Sequence, residues 1–543
     1  MAIVTVGSRL YAAMLKTGPS ITRDIDVRRA VEVRAPDGTV LLTDVYLARP
    51  GRPLPVVLMR SPYGRGVYGM LARLFAERGY HAVIQSTRGT FGSGGSLDFD
   101  AEAADGRAAA DWIIRQPWSD GTIGTYGGSY LAFTQLALAS TRPPQLKAMA
   151  LGIWGADRRE YMYPGGAFAL EGRLGWLFTL ENQQRPLAFI RSPLQSRRGL
   201  VPAFGHLPLI EGDTVAVGHP VGFYRDWLTH DQPGDPYWAP TDFRSILPDL
   251  GVPVSMIAGW YDLFLPQMLS DYAKLRGGGQ DVRLRVGPWH HASQSLYRHM
   301  TADALDWFGT HLLGRAPAAE QPRLRVEVMG GGGWRNLADW PPPDSAGQRW
   351  HLHPGGALGT DAPASAADGE PDRYTYDPAD PTPSVGGTST MSCGPRDNRA
   401  LEQRADVLTY TSAPVTRPLV ITGNVTAELF AGSSRPHTDF FARLCDVDPA
   451  GKSVNITDGI LRLTTATEAP QRITVDLWPT AHQFQRGHRI RLQVSSGAHP
   501  RYTRNLGSDE PVATATTLHT ARQAVYHDAA RPSAVVLPVV TAL

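Results

Sequence analysis

Cysteine is almost absent from this chain: its 543 residues include two, Cys393 and Cys445. Two thiols cannot build a disulfide framework, nor a zinc site on their own. They read most simply as buried thiols in a reducing compartment, with one mutual bridge as the alternative. Lysine is nearly as scarce, standing only at Lys16, Lys147, Lys274 and Lys452, so almost all positive charge is arginine. No arginine cluster interleaves with aromatics, and a net charge of +2 gives no electrostatic reason to bind nucleic acid or an anionic membrane. Long apolar runs are missing as well; nothing approaches the roughly 20 residues needed to span a bilayer. Residues 1–17 are mildly amphipathic but lack a charged start and a small-residue cleavage site, which argues against a secretory signal. The expectation is a soluble, cytoplasmic protein with neither membrane nor nucleic acid as partner.

The length exceeds what one hydrophobic core supports and predicts two or three domains. From Val27 to about Gly155 strands alternate with helices. A hairpin is expected at Ala30–Arg34 and Val40–Leu47 around Pro36-Asp37-Gly38. Apolar runs follow at Leu54–Met59, His81–Ile84, Ile123–Tyr126 and Leu146–Ile153, with helical patterns at Tyr68–Glu77 and Glu102–Arg115 between them. That rhythm implies parallel pairing in an α/β sheet. It stops over residues 154–242 and returns over 243–318, where Val252–Gly259 and Val282–Val286 read as strands. The intervening segment, with a helical stretch at Ala167–Leu180, reads as an insertion capping the strand ends, where open α/β sheets bind ligands. From residue 319 to 543 short strand-like runs separated by turns suggest an all-β sandwich or jelly roll, with Gly355–Ser389 as long surface loops.

One stretch carries chemistry. Ile123 to Tyr126 reads as a strand, Gly127-Gly128-Ser129 as a tight turn, and Tyr130 to about Ser140 as an apolar helix. Such a turn holds a serine hydroxyl out of the backbone as a nucleophile, and the helix behind it aims N–H groups at developing negative charge. The bland alternative is an ordinary Gly-Ser turn. A serine nucleophile needs a base and a carboxylate to orient that base. Asp262 falls just past the strand ending at Gly259, and His290 and His291 fall past the strand ending at Val286. Asp262 could equally cap the helix after it, and the paired histidines could sit in a solvated loop. No HExxH spacing or third ligand accompanies them, so no metal is expected. The order Ser, Asp, His is that of α/β-hydrolases. An oxyanion hole needs two donors; the Tyr130 N–H is one. The other should come from Arg60-Ser61-Pro62-Tyr63-Gly64, where Tyr63 could donate its hydroxyl or pack at the sheet edge.

With these residues assembled, the chain resembles the cocaine esterase and X-prolyl dipeptidyl-peptidase group of serine hydrolases. The blocks are Arg60-Ser-Pro-Tyr63, Gln85-Ser-Thr-Arg-Gly-Thr-Phe-Gly-Ser-Gly-Gly95, Gly127-Gly-Ser-Tyr-Leu131, Ala258-Gly-Trp-Tyr-Asp262 and Gly287-Pro-Trp-His-His291. In the β portion they include Asp439–Asp446, Asp458–Arg462 and Gly487–Leu492. The resemblance implies an α/β-hydrolase domain, a helical cap inserted after the sixth strand, and a C-terminal jelly roll. It places the nucleophile on Ser129, the acid on Asp262 and the base on His291 rather than His290. It makes Tyr63 an oxyanion donor beside the Tyr130 N–H, and Trp176 and Phe264 substrate-binding aromatics. It implies no cofactor. The expected activity is hydrolysis of small-molecule acyl esters through an acyl-enzyme. X-Pro dipeptidyl-peptidase, α-amino-acid ester hydrolase or amidase, and acyltransferase activity are the alternatives, and a homodimer is compatible with the sequence. An ammonium-binding peptidase would need carboxylates near the cap. Glu160, Glu171 and Glu181 lie there, but helical acids usually face water.

Overall fold

The computed structural model of the protein describes residues 2–49, 51–185, 196–316, 322–364 and 370–540. The chain divides into two compact units, residues 1–158 with 236–325 and residues 159–235 with 326–543.

The first unit is built on a twisted sheet. Its strands are β1 (Ile25–Arg34), β2 (Val40–Ala48), β3 (Leu54–Ser61), β4 (His81–Ser86), β5 (Ser119–Gly128), β6 (Leu146–Gly152), β7 (Val254–Tyr261) and β8 (Val282–His290). They lie in the order β1-β2-β4-β3-β5-β6-β7-β8. The β1–β2 hairpin is antiparallel, and β2 pairs antiparallel with β4. Every pairing from β4 through β8 is parallel. After the N-terminal helix α1 (Ala2–Met14), crossover helices α2 (Gly69–Ala76), α3 (Glu102–Ile114) and α4 (Tyr130–Ser140) join successive strands, as parallel pairing requires. β3, β4 and β7 are buried along their whole length, which is why they read as continuous apolar runs rather than alternating ones. Val45, Val56, Leu58, Val83 and Ile123 pack against Ala109, Ile113 and Leu138 of α3 and α4. No helix among the described residues is long and apolar enough to cross a membrane.

In the second unit an all-β region packs with helices of the inserted segment. The long strand Leu419–Ser433 pairs with Gln471–Phe484, Ala521–Tyr526 and Ala534–Val540, all antiparallel. Thr438–Val447 lies between Ser453–Leu463 and Arg489–Ser495. Ala167 of the insertion joins Phe441, Ile460, Ala498 and Tyr502 in one buried cluster. The segment expected as surface loops between Gly355 and Ser389 contains two strands, Ala357–Gly359 and Asp372–Tyr376; residues 365–369 lie outside the described ones. Tyr374 and Tyr376 alternate inward as Asp372–Tyr376 pairs with Ala521–Tyr526, a period hidden by the polar composition around it. The cysteines form no bridge: both are free, with Cys445 buried and Cys393 only half-buried.

Candidate active site

The turn at Ser129 is set by its neighbours. Ser129 has φ 59° and ψ −131°, a conformation an L-residue adopts at a cost of about 1–3 kcal/mol, and its N–H donates to the Gly152 carbonyl at 3.0 Å. Gly127 approaches the Leu131 side chain so closely that a Cβ there would collide with it. β5 and α4 are thereby locked into a hairpin-tight corner, with Tyr130 through Ala139 all buried behind it. The N–H of Tyr130 opens α4, where a helix supplies no acceptor of its own.

Asp262 follows β7 and is fully buried. Its two oxygens have separate partners. Oδ1 accepts from the Phe264 N–H at 2.9 Å, and Oδ2 lies 2.8 Å from His291 Nδ1. Of the two readings open for this residue, the imidazole lies against it, whereas it does not cap the next helix: Leu265–Gly277 begins after Phe264 with no side-chain cap, and the Phe264 bond closes a turn. His291 Nε2 lies 3.0 Å from Ser129 Oγ, and the His291 side chain is 29% exposed. His290 ends β8 and points elsewhere; its Nδ1 accepts from the Ala292 N–H at 3.3 Å. A bulge aims the adjacent residues. Gly259 pairs with Gly287 but Tyr261 pairs with His290, so β8 carries one extra residue at its end. Gly259 is required where it stands, because a Cβ would meet the Trp289 carbonyl oxygen.

Around this line the remaining candidates separate. Phe264 lies beside the base, its ring centroid 5.6 Å from that of His291, and Trp154 packs on Phe264 at 4.8 Å. Tyr63 follows β3 on a turn in which its N–H donates to Ser61 Oγ at 3.0 Å, and its phenol is near enough to influence those of Tyr130 and Tyr297. Burial, reinforced by the Glu102 carboxylate, holds the Tyr130 phenol protonated, its pKa well above the ordinary value. Trp176 belongs to the second unit, on the helix Leu170–Asn182, stacked on Trp227 at 5.9 Å and tilted against Phe223 at 5.7 Å.

Sequence reasoning passed over two neighbours. Trp154, two residues past β6, read as the edge of the insertion, although the end of a central strand is where pocket residues gather. Tyr297 donates its hydroxyl to the His291 carbonyl at 3.3 Å; its only signal was being six residues from a candidate base.

A strained serine between β5 and α4, facing an imidazole at the end of β8, defines the protein as an α/β-hydrolase of the serine type. The chain matches the family model for X-Pro dipeptidyl-peptidase (S15 family) over residues 37–293 and that for the X-Pro dipeptidyl-peptidase C-terminal non-catalytic domain over residues 317–536. It is 33% identical to the cocaine esterase of Rhodococcus sp. (strain MB1 Bresler), over 93% of this chain and 97% of that one. The protein belongs to the cocaine esterase and X-Pro dipeptidyl-peptidase family of serine hydrolases. Solved structures with the same fold include an α-amino acid ester hydrolase, with a TM-score of 0.82 at 23% identity over 96% of this chain and 98% of that chain. An aminopeptidase from a marine sediment Thaumarchaeota archaeon follows, with a TM-score of 0.79 at 22% identity over 97% and 98%.

Proposed function

We propose that the protein hydrolyses carboxylic acyl esters through a Ser129–His291–Asp262 triad. The observation that carries this reading is the unbroken line from Asp262 Oδ2 through both ring nitrogens of His291 to Ser129 Oγ, at 2.8 and 3.0 Å. As Oγ bonds to the ester carbonyl carbon, its proton passes to Nε2 and the carbonyl electron pair moves onto oxygen. Asp262 accepts the Nδ1 proton in a hydrogen bond, which fixes the tautomer and stabilises the imidazolium. The Tyr130 N–H and the Tyr63 hydroxyl hold the oxyanion. Collapse expels the alcohol, which takes the proton from Nε2, leaving the acyl group on Ser129. Water then adds to the acyl carbon as Nε2 takes its proton, and the acid departs as Oγ recovers that proton.

Ester rather than X-Pro peptide is favoured by the state of the acids in the insertion. Glu171, only 2% exposed, accepts from Ser389 Oγ at 2.9 Å, the Met391 N–H at 2.7 Å and the Thr390 N–H at 3.3 Å. Contrary to the expectation for helical acids it faces inward, where loop donors occupy both its oxygens and leave it poorly placed to take a substrate ammonium. Glu181 lies 3.2 Å from His219 Nε2. Phe264 and Trp154 offer an apolar surface beside the base that suits an acyl chain. Ser129→Ala is expected to lower p-nitrophenyl ester turnover by about 10⁴-fold or more with the fold intact. Retained turnover would contradict the triad, and a strong preference for X-Pro anilides over acyl esters would reverse the substrate assignment.

A further inference from the structure

Both oxyanion donors of the proposed mechanism stand at the ends of separate elements, Tyr63 two residues beyond β3 and Tyr130 at the head of α4. One buried carboxylate joins those elements. Glu102, the first residue of α3, is 1% exposed. Its Oε2 accepts from Arg60 Nη1 at 2.6 Å, and its Oε1 accepts from the Tyr130 hydroxyl at 2.9 Å. Arg60, itself 2% exposed, also donates from Nη1 to the Glu102 carbonyl at 3.0 Å and from Nε to Gln85 at 2.8 Å. A turn further along α4, the Thr134 hydroxyl donates chiefly to the Leu131 carbonyl at 2.9 Å, with the Arg60 carbonyl a longer second acceptor at 3.4 Å. Asp105 is not the principal partner of Arg60: it lies 3.8 Å away and is gripped by Arg88 at 2.6 and 2.7 Å.

We propose that Glu102 is a positioning residue for the oxyanion hole, holding β3 and α4 at the separation at which the Tyr63 hydroxyl and the Tyr130 N–H converge. The inference rests on the assignment of those two groups as donors. Charge-assisted hydrogen bonds in a buried site are strong and directional, so the carboxylate fixes the Tyr130 side chain, and with it the first turn of α4, against the strand leading to Tyr63. A displacement of about 1 Å in a catalytic constellation can cost about 10²-fold in rate, which makes such a brace consequential although it touches no substrate.

Tyr130→Phe tests this with the least disturbance, because it removes the hydroxyl and keeps the backbone N–H. The expected result is a fall in kcat on p-nitrophenyl esters of about tenfold or more, with KM within about twofold. Fluorophosphonate labelling of Ser129 slows by a similar factor, while the titre of labelled serine is unchanged. Glu102→Gln, which removes the charge from both bonds, lowers kcat at least as far. Combined with Tyr63→Phe, Tyr130→Phe costs less than the product of the single effects. A wild-type kcat per titrated serine in Tyr130→Phe overturns the proposal, including the case in which only stability or titre falls. If Tyr63→Phe lowers kcat by about 10²-fold and Tyr130→Phe does not, Glu102 is a structural brace alone and the oxyanion assignment stands. If Tyr63→Phe leaves kcat unchanged, the assignment of that donor fails and this inference falls with it.

Discussion

Both compact units bury carboxylates against guanidinium groups, but one buried acid of the first unit faces a different partner. In the second unit Asp458 lies 2.5 Å from Arg501 and 3.0 Å from Arg443, and Asp439 receives Arg462 at 2.9 and 2.8 Å. Burial pushes the Asp458 carboxyl up, but the two guanidinium groups more than offset this and hold it below the usual range. Guanidinium does not deprotonate in proteins, so these pairs are fixed charges that tie strands together. In the first unit Asp262, equally buried, faces an imidazole that in turn faces a hydroxyl. In the proposed mechanism that imidazole takes and returns a proton, which gives the same kind of acid a part in proton transfer. The partner decides the role.

Three changes probe that contrast. The largest effect is expected from Asp262→Asn, which keeps the shape but favours the wrong tautomer of His291; kcat falls about 10⁴-fold with KM little changed, measured by steady-state ester hydrolysis. A loss under tenfold would place Asp262 with the structural acids. Glu171→Ala tests the opposite unit. It strips the acceptor from the buried Ser389 hydroxyl and from the partly buried N–H groups of Thr390 and Met391, so thermal unfolding shows a loss of about 1–3 kcal/mol while kcat per titrated serine stays within about twofold. A collapse of kcat without loss of stability would give this acid a role at the substrate. The smallest effect belongs to Asp271, a buried acid of the first unit on which burial outweighs the opposing pull of the Lys274 and Arg244 charges. Burial lifts its carboxyl to about 7, and it accepts from the Ala156 N–H at 2.7 Å. The folded chain keeps a proton that the unfolded chain releases near pH 4, so stability falls as pH rises from about 4 to 7 and levels off above. Asp271→Asn is expected to raise the melting midpoint by about 3 °C at pH 8 and to lose that advantage near pH 4. An equal gain at both pH values would remove the proton linkage.

The parallel sheet was legible in the sequence because buried strands are short apolar runs between turn residues, and Leu54–Met59 or His81–Ile84 needed no further context. Ser129 and Asp262 were legible for the same reason: each lies where such a run stops. The choice between His290 and His291 was not. Simple alternation along β8 cannot see the extra residue opposite Tyr261, and only the family motif selected the histidine that meets Ser129. Long-range polar contacts were equally hidden. Arg60 and Glu102 are 42 residues apart, and Glu171 finds Ser389 across 218, distances at which no periodicity operates. Asp372–Tyr376 was lost for a third reason, since a strand flanked by proline and aspartate has no compositional contrast with a loop.

The Asp262 carboxylate is oriented on its far side by a main-chain N–H, that of Phe264, and not by a side chain. Every residue except proline offers that same N–H. The ring at 264 can therefore be exchanged for a smaller or larger group, reshaping the ground beside the imidazole, without slackening the anchor of the acid. Under the proposed mechanism, substrate range and proton transfer are adjusted by different atoms of one residue, so selection can explore the former while leaving the latter untouched.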